Sequence, residues 1–181
     1  MTMLRLLSAD DAPAIRRVYS GAAATFLGRS AMTAQEAAEY VARVRGRAGA
    51  DPVEQYVLGV DVAGDLVGIT KLGHRPGGHG RVSYVLREDR WGQGYATRAV
   101  EELVTFAFTT VGLDSLGARH HPDNPASGRV LAKAGFARVG MLNGMIEYRL
   151  LEAVAGTRLA ESLGDTLRIA ASRVARLESA D

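Results

Sequence analysis

The stretch 53–110 changes its pattern once, and that change constrains the fold more than any other feature of the sequence. Its first part alternates runs of β-branched and aromatic residues with short glycine-containing turns, which is typical of an antiparallel meander. The three strands that this pattern predicts are 53–62, 66–74 and 81–87. A glycine-rich segment over 91–96 follows and leads into a helical pattern that runs to about Thr110.

The segments before this stretch predict a short strand and two helices. The strand is expected over 3–7, and the first helix from Ser8 to Tyr19. Thr33 and Glu36 have the spacing of a capping box, so we expect a second helix to begin there. The chain therefore enters the meander from a helical region.

The segments after this stretch complete the order of elements. A strand over 113–121 is followed by a short helix that Gly135 ends, and two last strands flank Asn143-Gly144, which favours a tight hairpin turn. The order predicts a single domain over 1–155 of α/β (α+β) class, with a mixed, mostly antiparallel sheet flanked by helices. Apolar residues at helical spacing predict an extra helix in a C-terminal extension, 156–181.

The composition suits one soluble domain and disfavours several classes of function. Of the 181 residues, 47% are hydrophobic and 23% charged, so the chain can bury a full core. Neither a long apolar run nor a signal peptide is apparent, so we expect a cytoplasmic protein that does not span a membrane. A net charge of +2 does not indicate binding to nucleic acid. With no cysteine and four histidines lacking the spacing of a ligand pair, no metal site is expected.

The glycine-rich segment Trp91-Gly92-Gln93-Gly94-Tyr95-Ala96 has the features of a phosphate site. Glycine lets the backbone approach a ligand closely, and N–H groups at a helix start attract anions. A tight turn without a ligand is the alternative. A Walker-type loop is excluded because no lysine follows the glycines. A dinucleotide-binding fingerprint fits Gly92 and Gly94, with Asp114 twenty residues further on, but Thr97 takes its third glycine position and antiparallel strands precede it.

A second motif, Asn124-Pro125-Ala126-Ser127 followed by Val130-Leu131-Ala132-Lys133-Ala134-Gly135-Phe136, lies about thirty residues further along. With it, the segment 83–136 resembles the GNAT superfamily of N-acyltransferases. The first motif is similar to the coenzyme A loop of that family, and the second to its N-x-x-S-x-x-[VL]-[LI]-x-K-x-G-F signature. The form W-G-x-G-Y-A most resembles the branch of ribosomal-protein alanine and serine N-acetyltransferases. The resemblance covers residues 1 to about 151 and implies a single GNAT-like domain.

The resemblance implies acetyl-CoA as the acyl-donor co-substrate. It assigns the loop amides to the pyrophosphate, Asn124 to the pantetheine arm and Lys133 to the nucleotide phosphates. It also implies that two adjacent strands diverge near Leu86, so that the pantetheine pairs like an added strand. The full set of cofactor-binding residues that it implies is Leu86, Arg87, Gly92, Gln93, Gly94, Tyr95, Ala96, Thr97, Asn124, Ser127 and Lys133.

The sequence departs from the family in the groups that move protons. Many members carry a tyrosine in the helix of the second motif, where this chain reads Leu131-Ala132-Lys133. Arg119 stands where some N-terminal acetyltransferases carry a glutamate base. Ser127 is the predicted acid for the leaving thiolate, because a serine at this position lies near the sulfur in the resembling branch; its alternative role is to cap a helix. The candidates for the base are His120, His121, Glu147 and Tyr84.

The predicted function is transfer of an acetyl group from acetyl-CoA to a primary amine, of a protein N-terminus or a small molecule. Direct attack is expected, because no cysteine is available for a covalent intermediate. Arg119 is either a surface cation or an anion contact that would suit an acidic acceptor or succinyl-CoA. The alternatives are a catalytically silent acyl-CoA-binding sensor or assembly module and a succinyl-CoA-dependent acyltransferase. The C-terminal helix is expected to pack on the domain or to form a homodimer contact.

Overall fold

The computed structural model describes residues 3–48 and 53–152, in which one sheet of seven strands forms the framework. In chain order the strands are β1 (Leu4–Arg5), β2 (Gln55–Val62), β3 (Asp65–Arg75), β4 (His79–Leu86), β5 (Ser115–His120), β6 (Ala137–Leu142) and β7 (Met145–Leu151). They lie in the order β1-β2-β3-β4-β5-β7-β6, and every neighbouring pair is antiparallel except β4 and β5. The predicted mixed, mostly antiparallel sheet is confirmed.

Helices cover the two faces of this sheet. They are α1 (Ala12–Val18), α2 (Gly21–Phe26), α3 (Ala34–Arg47), α4 (Tyr95–Thr109) and α5 (Pro125–Lys133). Because successive strand residues point to opposite faces, Ile69 and Val85 pack with α1 and α3, whereas Val82 and Leu116 pack with α4 and α5. We call these two sides of the sheet the α1–α3 face and the α4–α5 face.

The parallel pair β4 and β5 stays together over a short distance only. Three residue pairs join His79–Arg81 to Ser115–Gly117. Beyond them β4 continues to Leu86 and β5 to His120 without pairing with each other. β4 stays paired with β3, and β5 stays paired with β7 along its whole length. The two strands therefore diverge in the middle of the sheet, as the resemblance implies.

Several local signals in the sequence act as predicted. The Thr33 hydroxyl accepts from the Glu36 N–H at 3.2 Å, and the Glu36 carboxylate accepts from the Thr33 N–H at 2.6 Å, which completes the capping box of α3. Gly135 is left-handed after α5, with φ of 93°. Asn143 and Gly144, with φ of 50° and 76°, form the turn between β6 and β7.

The short helix α2 is absent from the sequence-based prediction, because a distant residue stabilises it. Its first residue, Gly21, has a φ of 54°. The next N–H, of Ala22, donates to the carboxylate of Glu88 at 3.1 Å. Glu88 lies 66 residues further along, so no local pattern could indicate this contact.

The helix predicted within 156–181, and the homodimer contact expected of it, lie outside the described residues. Across the part of the chain that is described, no helix is long and apolar enough to cross a membrane.

The capping box predicts the response of α3 to one substitution. Thr33→Ala removes the hydroxyl that accepts from Glu36 and should lower the free energy of unfolding by about 1 kcal/mol. In a chain of this size that corresponds to a fall in melting temperature of about 2–4 °C. Thr110→Ala, at the exposed end of α4, is the matched control and should leave the melting temperature unchanged. Equal melting temperatures for the two variants would contradict the capping role.

Candidate active site

A cleft of about 590 Å³ opens where β4 and β5 diverge. Its walls are the unpaired ends of these strands, the first turns of α4 and α5, and α2, so the two sequence motifs meet in it. The predicted site residues that line it are Tyr84, Leu86, Gly92, Gly94, Tyr95, Ala96, Thr97, His120, His121, Asn124, Ser127 and Lys133. The other three predicted residues, Arg87, Gln93 and Glu147, lie outside its lining.

The N-terminus of α4 reaches the cleft without a side-chain cap. Its N-cap residue, Gly94, is left-handed with φ of 81°, and Gly92 has φ of 73°. A Cβ at either glycine would meet no atom within 4 Å, so the backbone conformation and not crowding requires glycine there. The first turn contains no acidic residue. Its free N–H groups and the positive end of the helix dipole therefore suit an anion.

Two cations of α5 line the cleft as well. Arg129 and Lys133 are one helical turn apart, and both are exposed. Together with the uncapped end of α4, they make this part of the cleft electropositive. The arrangement fits a ligand with several phosphates.

Arg87 lies outside the lining of the cleft and its guanidinium is held by two carboxylates, so its cofactor-binding role stays a prediction. Its guanidinium donates to both carboxylate oxygens of Asp65, at 2.9 and 3.0 Å, and to those of Asp89, both at 2.9 Å. The hydrogen bonds from Arg87 also hold the pKa of the Asp65 carboxyl below its usual value. Asp65 accepts from Arg90 too, at 2.8 Å. Arg87 thus fixes the end of β4 just before the glycine-rich segment.

Two further side chains shape the glycine-rich segment from its N-terminal side. The Trp91 indole N–H donates to the Leu86 carbonyl at 2.9 Å, and its ring lies 6.1 Å from that of Phe26. The Gln93 side chain donates to the Asp89 carbonyl at 3.2 Å, which leaves its backbone N–H as the group that could reach a ligand. These contacts link the segment to the end of β4.

Ser127 forms a hydrogen-bonded pair with Tyr84. The Tyr84 hydroxyl lies 2.7 Å from Ser127 Oγ and 3.0 Å from the Ser127 carbonyl oxygen. The Asn124 side-chain oxygen accepts from the Ser127 N–H at 3.1 Å and caps α5, so only its amide N–H groups remain for a ligand. Sequence reasoning missed the contact between Tyr84 and Ser127, because only packing brings β4 against α5.

The environment of Tyr84 makes it a hydrogen-bond donor. Burial raises the pKa of Tyr84 to about 12, although the hydrogen bond with Ser127 opposes the shift. The phenol therefore stays protonated at neutral pH, which disfavours Tyr84 as the base. In the stretch Leu131-Ala132-Lys133, where many GNAT members carry a tyrosine, Leu131 is fully buried in the core. A tyrosine hydroxyl thus reaches the first turn of α5 from the strand instead.

The two neighbouring histidines differ in their surroundings. His120 is 6% exposed, donates from Nδ1 to the His121 carbonyl at 2.7 Å, and packs against Tyr148 on the α4–α5 face. His121 is exposed at the open end of β5, where its Nδ1 accepts from the Asp123 N–H at 3.2 Å. Within the described ranges, no group of three acidic or histidine side chains could hold a metal ion.

Arg119 and Glu147 lie on the other side of the sheet. They are directly opposite each other on β5 and β7. Both are half-buried, and because Ala118 and His120 are buried on the α4–α5 face, alternation places Arg119 and Glu147 on the α1–α3 face. Arg119 lines the cleft, and Glu147 lies beside it.

Comparisons with known proteins agree with this geometry. An uncharacterised N-acetyltransferase, p20 of Bacillus licheniformis, is 32% identical over 65 residues, and the match covers 36% of each chain, about a third of that relative's length. Two solved structures from Vibrio cholerae share the fold. One, described as a ribosomal-protein-serine acetyltransferase, has a TM-score of 0.68 at 22% identity over 82% of this chain and 92% of its own. The other is a spermidine N-acetyltransferase in complex with CoA and spermine, with a TM-score of 0.70 at 16% identity over 84% and 96%.

The family model that matches is described as "Acetyltransferase (GNAT) domain" and covers residues 2–137. Both sequence motifs and the cleft between β4 and β5 fall within this range or border it. The chain therefore belongs to the GNAT acetyltransferase family.

Proposed function

We propose that the protein transfers the acetyl group of acetyl-CoA to a primary amine by direct attack. The observation that carries this proposal is the cleft itself. The unpaired edges of β4 and β5 form its length, the uncapped N-terminus of α4 forms one end, and the Tyr84–Ser127 pair lies inside it. Family membership gives the reaction class, and the cleft gives the place where the chain's own residues could perform it.

The residues around the cleft fit coenzyme A. The N–H groups of Gln93 to Ala96 would hold the pyrophosphate, with Arg129 and Lys133 close to the nucleotide phosphates. The amide N–H of Asn124 would bind the pantetheine arm. Because the unpaired backbone groups of β4 and β5 need partners, an extended chain of amides suits the space between them. The Leu86 carbonyl already accepts from Trp91, so the other unpaired backbone groups of β4 are better placed to bind that arm.

Acetyl-CoA would supply a thioester carbonyl with a good leaving group. Ser127 would then donate its hydroxyl proton in a hydrogen bond towards the thiolate that develops. Tyr84 lowers the energetic cost of reorienting the Ser127 hydroxyl, because the Tyr84 hydroxyl has two acceptors within reach. It can donate to the Ser127 carbonyl while it accepts from the Ser127 hydroxyl, or it can donate to Ser127 Oγ and free that hydroxyl to turn into the cleft. Tyr84 is thus a positioning residue for Ser127.

Two residues are best placed to take the proton of the attacking amine. Glu147 lies on the α1–α3 face beside Arg119, and His121 is exposed at the end of β5. The hydrogen bond from Nδ1 leaves Nε2 as the basic nitrogen of His120, but Nε2 is buried against Gly128 and Tyr148, so His120 is less suitable. An α-amino group, with a pKa near 8, needs less help from a base than a lysine amine does. We therefore assign the base to Glu147, with His121 as the second candidate.

The first prediction of the proposed function concerns CoA binding. CoA at about 100 times its dissociation constant should raise the melting temperature by about 5–11 °C. Gly94→Ala should abolish most of this rise, because the left-handed φ costs alanine about 1–2 kcal/mol and the loop amides would move. Gly46→Ala is the matched control: Gly46 lies in α3 with open space around it, so the protein should keep the full rise. The absence of any rise with CoA in the unaltered protein would overturn the proposed function.

The second prediction concerns the Tyr84–Ser127 pair. With acetyl-CoA and an accepted amine, Ser127→Ala should lower kcat by about 100-fold, in the range of proton-transfer groups. Tyr84→Phe should lower kcat by about 10-fold, the value of one hydrogen bond. In both variants the KM for acetyl-CoA should change little. Ser30→Ala, at an exposed loop position, is the control.

The double variant separates positioning from direct action. If Tyr84 acts through Ser127, adding Tyr84→Phe to Ser127→Ala should lower kcat no further. A kcat of the double variant that falls by the product of the two single losses would contradict the positioning role. Unchanged kcat in both single variants would contradict the assignment of the acid. A protein that CoA stabilises but that transfers no acetyl group to any amine would instead be an acyl-CoA-binding module.

A further inference from the structure

The charges that line the cleft are unequal. Its cationic side chains are Arg90, Arg119, Arg129 and Lys133, whereas Asp123 is its one carboxylate within the residues described. A cation that faces the acceptor repels a polycation such as a polyamine or an aminoglycoside. The acceptor of this protein should therefore differ in charge from the spermine bound by the structural neighbour.

Three of these cations are paired with a carboxylate or lie beside the proposed site of the nucleotide phosphates. Arg90 donates to Asp65 at 2.8 Å, and its charge is compensated there. Arg129 and Lys133 lie on α5, beside the proposed site of the nucleotide phosphates. Arg119 is different, because it lies on the α1–α3 face, on the opposite side of the sheet from α5.

Arg119 is free to bind a ligand. Its cross-strand neighbour Glu147 is the nearest candidate partner in register, yet no ion pair within 4 Å joins Arg119 to any residue in 3–48 or 53–152. Arg119, which lines the cleft, and Glu147, which lies beside it, are thus opposite each other on the sheet without forming an ion pair. Residues directly opposite on antiparallel strands have Cβ atoms about 4.5–5.5 Å apart. Two side chains that start this close together can contact an amine and a carboxylate of the same small molecule or peptide.

We propose that the acceptor is a primary amine that carries a carboxylate, and that Arg119 binds this carboxylate while the amine lies towards Glu147. The inference rests on the proposed acetyl transfer and names the acceptor class of the same site. Arginine suits this task because its planar fork binds a carboxylate through two hydrogen bonds. The carboxylate could instead belong to the acyl group of a dicarboxylic thioester, so the experiment has one arm for each source.

The acceptor arm compares three peptides with acetyl-CoA as donor. They are Ala-Glu-Ala-amide, Ala-Gln-Ala-amide and Ala-Lys-Ala-amide, which share the N-terminal amine and differ in the charge of the second side chain. The first should have a kcat/KM about tenfold above the second, the scale of a charge-assisted hydrogen bond. The third should be the poorest, and spermidine and kanamycin should not be acetylated. Equal rates with the glutamate and glutamine peptides, or faster transfer to the lysine peptide, would overturn the acceptor assignment.

The variants test Arg119 itself. Arg119→Glu should reverse the order of the glutamate and lysine peptides through KM, and Arg119→Lys should retain part of the original preference. Arg138→Glu makes the same change of charge on the exposed edge strand β6, outside the lining of the cleft, and should leave the preference intact. If Arg138→Glu shifts the preference as much as Arg119→Glu does, the effect is one of overall charge and the inference fails.

The donor arm measures melting temperature with acetyl-CoA and with succinyl-CoA. If Arg119 binds the carboxylate of the acceptor, both thioesters should stabilise the unaltered protein and Arg119→Ala equally. A larger rise with succinyl-CoA that Arg119→Ala removes would overturn the acceptor assignment and move the carboxylate to the acyl group. Failure of both thioesters to stabilise the protein would overturn the proposed function as well, whereas stabilisation without any peptide preference would overturn this inference alone.

Discussion

The divergence of β4 from β5 is the constraint on which the rest of the molecule depends. Three residue pairs join the two strands, and beyond them the facing backbone edges lie open in the centre of the sheet. An open edge in the interior of a sheet leaves N–H and C=O groups without partners. The chain accommodates this only because β5 remains fully paired with β7, and β4 with β3. The opening is thus an arrangement that an extended ligand with amide groups can complete.

The contacts around the cleft maintain that opening and define its two ends. Arg87, held by Asp65 and Asp89, fixes the last residue of β4 before the glycine-rich segment. Trp91 bonds the Leu86 carbonyl and so occupies an acceptor that would otherwise be exposed. At the other wall, Tyr84 reaches from β4 to the first turn of α5 and joins Ser127. The bonds from Arg87 to Asp89 and from Trp91 to Leu86 are local, whereas packing brings Asp65 to Arg87 and Ser127 to Tyr84.

The two faces of the sheet carry different groups of the site. The α4–α5 face carries the uncapped helix, the cations of α5 and the hydroxyl pair. The α1–α3 face carries Arg119 and Glu147. Since the strands diverge, a ligand between them has access to both faces, and two substrates could meet there from opposite sides. Strand alternation by itself assigns neighbouring residues, such as Arg119 and His120, to different sides and different roles.

Whether a feature could be predicted from the sequence depends on how far apart along the chain the interacting residues lie. Capping of α3 by Thr33, the turn at Asn143-Gly144 and the left-handed Gly135 are set by residues a few positions apart, and all were predictable. Helix α2 was not, because Glu88 stabilises it across 66 residues. The bond between the Arg87 guanidinium and Asp65 was not predictable either, because the two residues are 22 positions apart.

The sequence by itself determined the order of the strands and of the helices other than α2, the glycine-rich segment at the start of α4 and the second motif at the start of α5, because backbone propensity and capping act locally. Only the tertiary structure decided which side chains meet. It brought Tyr84 to Ser127, turned His120 against Tyr148 and placed Arg119 opposite Glu147. These pairings depend on sheet register and on packing between elements that are distant in the sequence. Many weak contacts together determine that packing, so it cannot be inferred from any single residue type.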